Sequence, residues 1–249
     1  MQPQDGIVSP DRVTSIRHVG INRGVEWIGA GFNLLMKKPG ELIVGGLIIF
    51  VLSIICHAIP VLGSAVATMV GVVAAGVFMR VSQAIEEGHD PIEAAKASAG
   101  ATPLYILGVV AAAIGLVIAL AGWAMGAAAL GMAFLSVYGA LAIGAITGLL
   151  MIFVSIPVVM ALWLAPGLVI FKGTEPVEAV RLSFAASVKN FLPFIVFYIL
   201  SAIAAMIGAL LMGVGLIVVY PVLLCAAYFA YKDIFGSAST GEAVGFIQP

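Results

Sequence analysis

Few side chains in this chain are equipped for chemistry, and they fall in two places. Cys56-His57 puts a thiol beside an imidazole, and Glu86-Glu87-Gly88-His89-Asp90 sets an imidazole among three carboxylates. Either could hold a metal ion, since imidazole, thiolate and carboxylate are the usual zinc and transition-metal ligands. A metal site needs three or four such groups. No further His, Cys or carboxylate is expected on the side where Cys56 and His57 fall, so His57 reads as a turn or interfacial residue. The acidic cluster around His89 precedes a proline-started helix, where carboxylates favour the positive end of the helix dipole without any metal. No metal or other cofactor is assigned.

Nucleophilic catalysis fares no better. Ser53, Ser136, Ser155 and Ser201 lie in apolar stretches, where a hydroxyl ordinarily bonds a backbone carbonyl or a neighbouring helix. No GxSxG, HExxH or P-loop pattern occurs. A coupled carrier would hold an ionisable group near the membrane midplane, but Glu41 and Arg80 both fall at the ends of apolar runs. Pro157 and Pro166, flanking Trp163, remove backbone donors within one long apolar segment and mark a hinge or the wall of an uncharged cavity.

The elements that must position these residues follow from where charge is missing. Leu42–Met79, Ala97–Phe171 and Asn190–Tyr231, of 38, 75 and 42 residues, contain no Asp, Glu, Lys or Arg. About 20 apolar residues span a bilayer, so the fold class is all-α, a polytopic transmembrane bundle. Mean hydropathy of +1.20 and a charged fraction of 9% exclude a soluble globular class. A net charge of -1 argues against a nucleic-acid partner. Residues 1–24 carry charges and no apolar core of a signal peptide, so the first span is expected to be its own targeting signal. Cys56 and Cys225 lie in different apolar runs, which argues against a structural disulfide.

The first and third runs divide into hairpins at 57–64 and 212–215. The middle run could hold two spans or three. With two, all eleven Lys and Arg face one side; with three, they split seven to four. The positive-inside rule selects two, hence six spans with both termini cytoplasmic. Gly122, Gly126 and Gly131 are then expected to mark a loose outer connection containing Trp123, Phe134 and Tyr138. The fourth span is expected over about 139–171, kinked by its prolines.

Sliding the chain by 152 residues places Phe32 on Phe184, Lys37 on Lys189, Gly63 on Gly215 and Arg80 on Lys232, with 11 of 55 positions identical. At offset 85, Pro91–Ser98 matches Pro176–Ser183. Pro near a helix start with Glu in the first turn is a helix-opening pattern, with Asp90 placed to cap. The organisation is three units, 20–85, 90–171 and 174–235, each an amphipathic cytoplasmic helix followed by a transmembrane hairpin in parallel topology, within a single bundle over 1–235. Residues 236–249 read as a disordered tail. In the third unit Val177, Val180, Phe184 and Val188 recur at helical spacing, which predicts an apolar stripe buried opposite Glu178, Arg181 and Ala185, with Lys189 at the junction to the fifth span.

Ala165-Pro166-x-Leu168-Val169, Glu178-Ala179, Ser183-Phe184-x-Ala186-x-x-Lys189-Asn190-x-x-Pro193-Phe194, Gly215, Pro221-Val222 and Tyr228-x-x-Tyr231-Lys232-Asp233-Ile234-Phe235 form a recognisable pattern. It resembles a family of uncharacterised bacterial inner-membrane proteins, distantly similar to the membrane domains attached to some glycerophosphodiester phosphodiesterases. The likeness covers about 165–235, is weaker over 26–63, and is absent over about 104–160. Lys232 stands where that pattern commonly has Arg. The resemblance implies a six-helix bacterial inner-membrane protein and no catalytic residues.

The expected function is therefore that of a non-enzymatic inner-membrane protein serving as accessory or scaffold, with membrane lipids, another membrane protein or a second copy as partner. The alternative is a transporter or lipid-handling protein with an uncharged cavity beside the fourth span, near Pro157, Trp163 and Pro166. A groove open sideways to lipid would favour the alternative; a solid bundle would favour the scaffold.

Overall fold

A computed structural model describes residues 15–236; the charges at Asp5, Asp11 and Arg12 and all of the expected tail after Gly236 lie outside them. Ten helices follow one another: α1 (Arg23–Lys37), α2 (Pro39–His57), α3 (Leu62–Glu87), α4 (Pro91–Ala99), α5 (Thr102–Ala133), α6 (Val137–Leu162), α7 (Ala165–Lys172), α8 (Pro176–Lys189), α9 (Phe191–Leu210) and α10 (Leu216–Phe235). Five of them, α2, α4, α5, α7 and α8, open with proline in the first turn, where its missing N–H and fixed φ do no harm. Asp90 caps α4 by accepting the Ile92 N–H at 2.8 Å. Six segments are long and apolar enough to cross a membrane: α2, α3, α5, α6 continued by α7, α9 and α10. This is a multi-pass membrane protein, all-helical through the described residues.

The hairpin turns fall at 58–61, 134–136 and 211–215. Two of them are tight enough to demand glycine. A Cβ on Gly63 would stand 1.8 Å from the Cys56 carbonyl oxygen, and one on Gly215 would stand 2.6 Å from the Gly208 Cα. Both members of the second pair sit 152 residues after those of the first. The middle hairpin departs from expectation. Gly122, Gly126 and Gly131 lie inside α5, which runs unbroken to Ala133, and the connection shrinks to Phe134–Ser136. Glycine is well tolerated in transmembrane helices, so its density there does not mark a loop.

The three short helices pack in a cycle. α4 lies on α3, α8 lies on α6 and α5, and α1 lies on α9 and α10. Each therefore covers a hairpin other than the one it leads into. Small residues make these crossings close: a Cβ on Gly24 would meet the Pro193 carbonyl at 2.4 Å, and one on Gly31 the Val222 carbonyl at 2.5 Å. Between hairpins, α3 packs along α5, and α10 packs on α2 and α3. The corresponding third pair, α6 and α9, packs less extensively. α6 buries one residue, Met160, near its end.

The α8 surface corrects the stripe expected there. Its buried face is Ala179, Ser183, Ala186 and Ser187, all 0–1% exposed, whereas Val177, Phe184 and Val188 are 63%, 41% and 53% exposed and turn away from the protein. Small residues let α8 approach α6 closely, and the large apolar side chains face the surroundings. Glu178 and Arg181 form the expected exposed pair at 3.2 Å. Glu93 and Lys96, the matching residues of α4, form no ion pair.

Candidate functional site

The break between α6 and α7 begins with Pro166, which has no N–H to bond the Leu162 carbonyl. The ladder opens two residues earlier as well. The Ser183 hydroxyl of α8 inserts there, accepting the Leu164 N–H at 3.1 Å and donating to the Met160 carbonyl at 2.9 Å. Ser187 donates to the same carbonyl at 3.0 Å. A neighbouring side chain thus restores both ends of a lost helical bond, which is how a broken helix is kept satisfied in an apolar medium.

Trp163 projects from this break into a cluster of aromatic rings. Its ring centroid lies 4.6 Å from Phe197, 5.1 Å from Phe194, 5.7 Å from Tyr198 and 6.4 Å from Trp27. These contacts join the inner end of α6 to α9. Away from the cluster, Leu149 and Phe153 of α6 and Ile199 and Met206 of α9 are exposed. Added Cβ atoms at Gly144 and Gly148 of α6 would meet nothing within 4 Å.

The two tryptophans differ in a telling way. Trp27 is 1% exposed and donates its indole N–H to Asp233 at 2.7 Å. The Trp163 indole N–H has no partner among the described residues. The Tyr198 hydroxyl is enclosed and also without a partner, as is Ser201 Oγ one turn further along α9. A buried polar group left unbonded costs about 1–3 kcal/mol. The aromatic cluster and the α9 turn beyond it thus hold enclosed hydroxyls without partners at Tyr198 and Ser201.

The charged residues gather at one end of the bundle, and the three turns at the opposite end carry none. Asp233 accepts from Arg23 at 2.6 Å as well as from Trp27, tying α1 to α10. The hydrogen bond to Asp233, helped by Glu26, holds the Arg23 guanidinium above its ordinary range despite partial desolvation. Glu86 of α3 accepts from Tyr228 and Lys232 of α10, each at 2.6 Å. Asn190, 1% exposed, accepts the Val19 N–H at 2.8 Å and donates to the Arg17 and Ala186 carbonyls at 3.0 Å, fastening residues 16–19 beside α9. Lys189 adds a 2.6 Å bond to the Ile16 carbonyl. Arg80 stacks over Phe171 at 5.7 Å and donates to Gln83 at 3.1 Å.

Of the residues picked from sequence, Trp163 sits in the aromatic cluster with Trp27, Phe194, Phe197 and Tyr198. Pro157 is exposed on α6 and Pro166 is buried beneath the break. An uncharged groove of about 630 Å³ does touch the fourth span, but it lies between α5 and α6 near their connection, lined by Trp123, Leu130, Val137 and Leu141 among others. Cys56 is buried and free, and the exposed His57 bonds the Ser53 carbonyl at 2.7 Å. His89 lies 3.4 Å from Glu87 and lines a polar cleft of about 410 Å³ with Lys37, Lys38, Glu41 and Asp90. Sequence reasoning passed over Tyr198 altogether and gave Ser183 no role; the first had no motif, and the second carried only the family-like pattern.

No known family model, curated protein or solved structure matches this chain.

Proposed function

We propose that this is a non-catalytic bacterial inner-membrane protein that admits an uncharged lipid-like guest through the gap between its fourth and fifth spans. One observation carries the reading: α6 packs on α9 less extensively than α3 on α5 or α10 on α2 and α3, and α6 buries only Met160. The absence of formal charge from 97–171 and 190–231 makes a neutral guest the fitting one. The charged end faces the cytoplasm, following the positive-inside rule, and the three helix-plus-hairpin units are parallel repeats. Boundaries support this last point: α1 and α8 end, and α2 and α9 begin, 152 residues apart.

Spin labels at positions 153 and 207, each ten residues outward from the Trp163–Phe197 contact, test the gap. In lipid nanodiscs both should be accessible to membrane-dissolved oxygen and too far apart for spin contact. Labels that touch and are shielded from oxygen would mean a closed bundle.

A specific feature favours the accessory or scaffold role as a second reading. Gly115 of α5 packs on Thr68 of α3, so α5 runs about 18 Å past the start of α3 at 1.5 Å per residue. Leu130, Phe134, Leu135 and Tyr138 on that overhang are 70–92% exposed. Exposed apolar surface of this kind is what a membrane partner would cover. Co-purification from mild detergent with and without the tip substitutions Phe134→Ser and Leu135→Ser tests it.

A further inference from the structure

The charged end of the bundle holds a cleft unrelated to the fourth and fifth spans. It has a volume of about 410 Å³, lies between the start of α2 and the loop from α3 to α4, and is lined by Lys37, Lys38, Glu41, His89 and Asp90 with the buried Ile85. Its formal charges balance, two ammonium groups against two carboxylates, yet they do not satisfy one another. Lys37 forms no hydrogen bond or ion pair among the described residues; it lies within electrostatic reach of Glu86, a carboxylate that Lys232 and Tyr228 already hold. Lys38 and Glu41 meet loosely at 3.7 Å, and Asp90 uses one oxygen on the Ile92 N–H. His89 pairs with Glu87 at 3.4 Å and stands outside this balance. α2 opens beside the cleft with no side-chain cap, so its first amides remain for an outside acceptor. Outward from Glu41, the same face of α2 continues as Val44, Ile48, Val51 and Ile55, all four exposed.

We infer that this cleft binds the headgroup of a phospholipid carrying both a phosphate and a primary ammonium, the phosphoethanolamine class, with its acyl chains along the α2 stripe. Lys37, Lys38 and the first amides of α2 supply the cations and donors that a phosphate needs. Glu41 and Asp90 supply acceptors for the ammonium and its three N–H groups. Charge balance selects this head. A phosphate alone would set an anion against two carboxylates, and a quaternary ammonium would bring charge but no N–H to donate. The exposed stripe from Val44 to Ile55 selects a lipid over its soluble headgroup, because it gives the acyl chains an apolar wall continuous with the cleft.

The full-length protein in mild detergent, titrated with phosphatidylethanolamine, phosphatidylcholine and phosphatidylglycerol and read by native mass spectrometry of retained lipid, tests the assignment. Phosphatidylethanolamine should be held about fivefold more tightly than either of the others, the upper range for exposed ion pairs. Lys37→Gln should weaken it by about the same factor. Glu41→Gln combined with Asp90→Asn, in which the asparagine keeps the α4 cap, leaves the cleft net positive and should invert the order: phosphatidylglycerol gains and phosphatidylethanolamine falls. Should the double variant fail to fold, Lys37→Gln still decides, since that exposed side chain has no bond to lose. Equal retention of the three lipids by the wild type, unchanged phosphatidylethanolamine retention in Lys37→Gln, or an unchanged order in the double variant would each overturn the site. Displacement of the lipid by soluble glycerophosphoethanolamine at equal concentration would overturn the lipid assignment in favour of a free headgroup.

Discussion

Replacing Ser183 with alanine should destabilise the protein far more than loss of an ordinary helix-surface serine. The hydroxyl is 0% exposed and bridges the opened turn between α6 and α7. Its removal has unequal consequences for the two groups it serves. The Met160 carbonyl keeps its bond from Ser187, but the Leu164 N–H is left buried without an acceptor. An orphaned buried donor costs about 1–3 kcal/mol, against about 0.5–1.5 kcal/mol for a hydrogen bond whose partner stays satisfied. Ser187→Ala removes only a second donor to Met160 and belongs in the smaller class. For a domain of this size about 1 kcal/mol shifts a melting temperature by roughly 2–4 °C. Thermal melts in one detergent should therefore order the proteins wild type, then Ser187→Ala slightly lower, then Ser183→Ala lowest. Equal melting of the two variants, or Ser183→Ala at wild-type stability, would refute the inserted-hydroxyl account of the break.

Glycine substitutions should separate turn and interface positions from the open ones. Gly63→Ala forces its Cβ onto the Cys56 carbonyl and should lower the melting temperature sharply. Gly144→Ala meets open space and should be neutral, or stabilising by about 0.5–1 kcal/mol through helix propensity. On α8, Phe184→Ala should cost under about 1 kcal/mol because the ring faces outward, whereas Ala186→Leu overpacks a fully buried site and should cost about 1–3 kcal/mol. Both pairs are read by detergent melts.

The spans were legible because an uncharged run of bilayer length has one cheap environment, and the 58–61 and 211–215 turns because Gly63 and Gly215 stand at steric pinch points. The length of α5 was not, since glycines 122, 126 and 131 look like a loop in a soluble chain and are ordinary helix residues here. Periodicity located the large side chains of α8 correctly and assigned Val177, Phe184 and Val188 the wrong face, while Val180 packs on the core as expected. In water Phe184 would turn inward, whereas against lipid it can face out and leave the interface to Ala179, Ser183 and Ala186. Ser183 and Asn190 stood in the family-like pattern, but their roles depend on chain segments up to 173 residues away. The sparse packing of α6 on α9 is a tertiary feature, and local pattern carries no sign of it. Trp163 was singled out for its prolines; Tyr198 became visible only once its hydroxyl was found without a partner.

The proposal that a neutral lipid enters between the fourth and fifth spans is tested most directly by placing a photo-crosslinking benzoylphenylalanine at position 198 in the full-length protein in its native membrane. Irradiation followed by mass spectrometry of the adduct should recover a neutral lipid. Adducts confined to α6 of the same chain, or to bulk phospholipids in proportion to their abundance, would contradict the account.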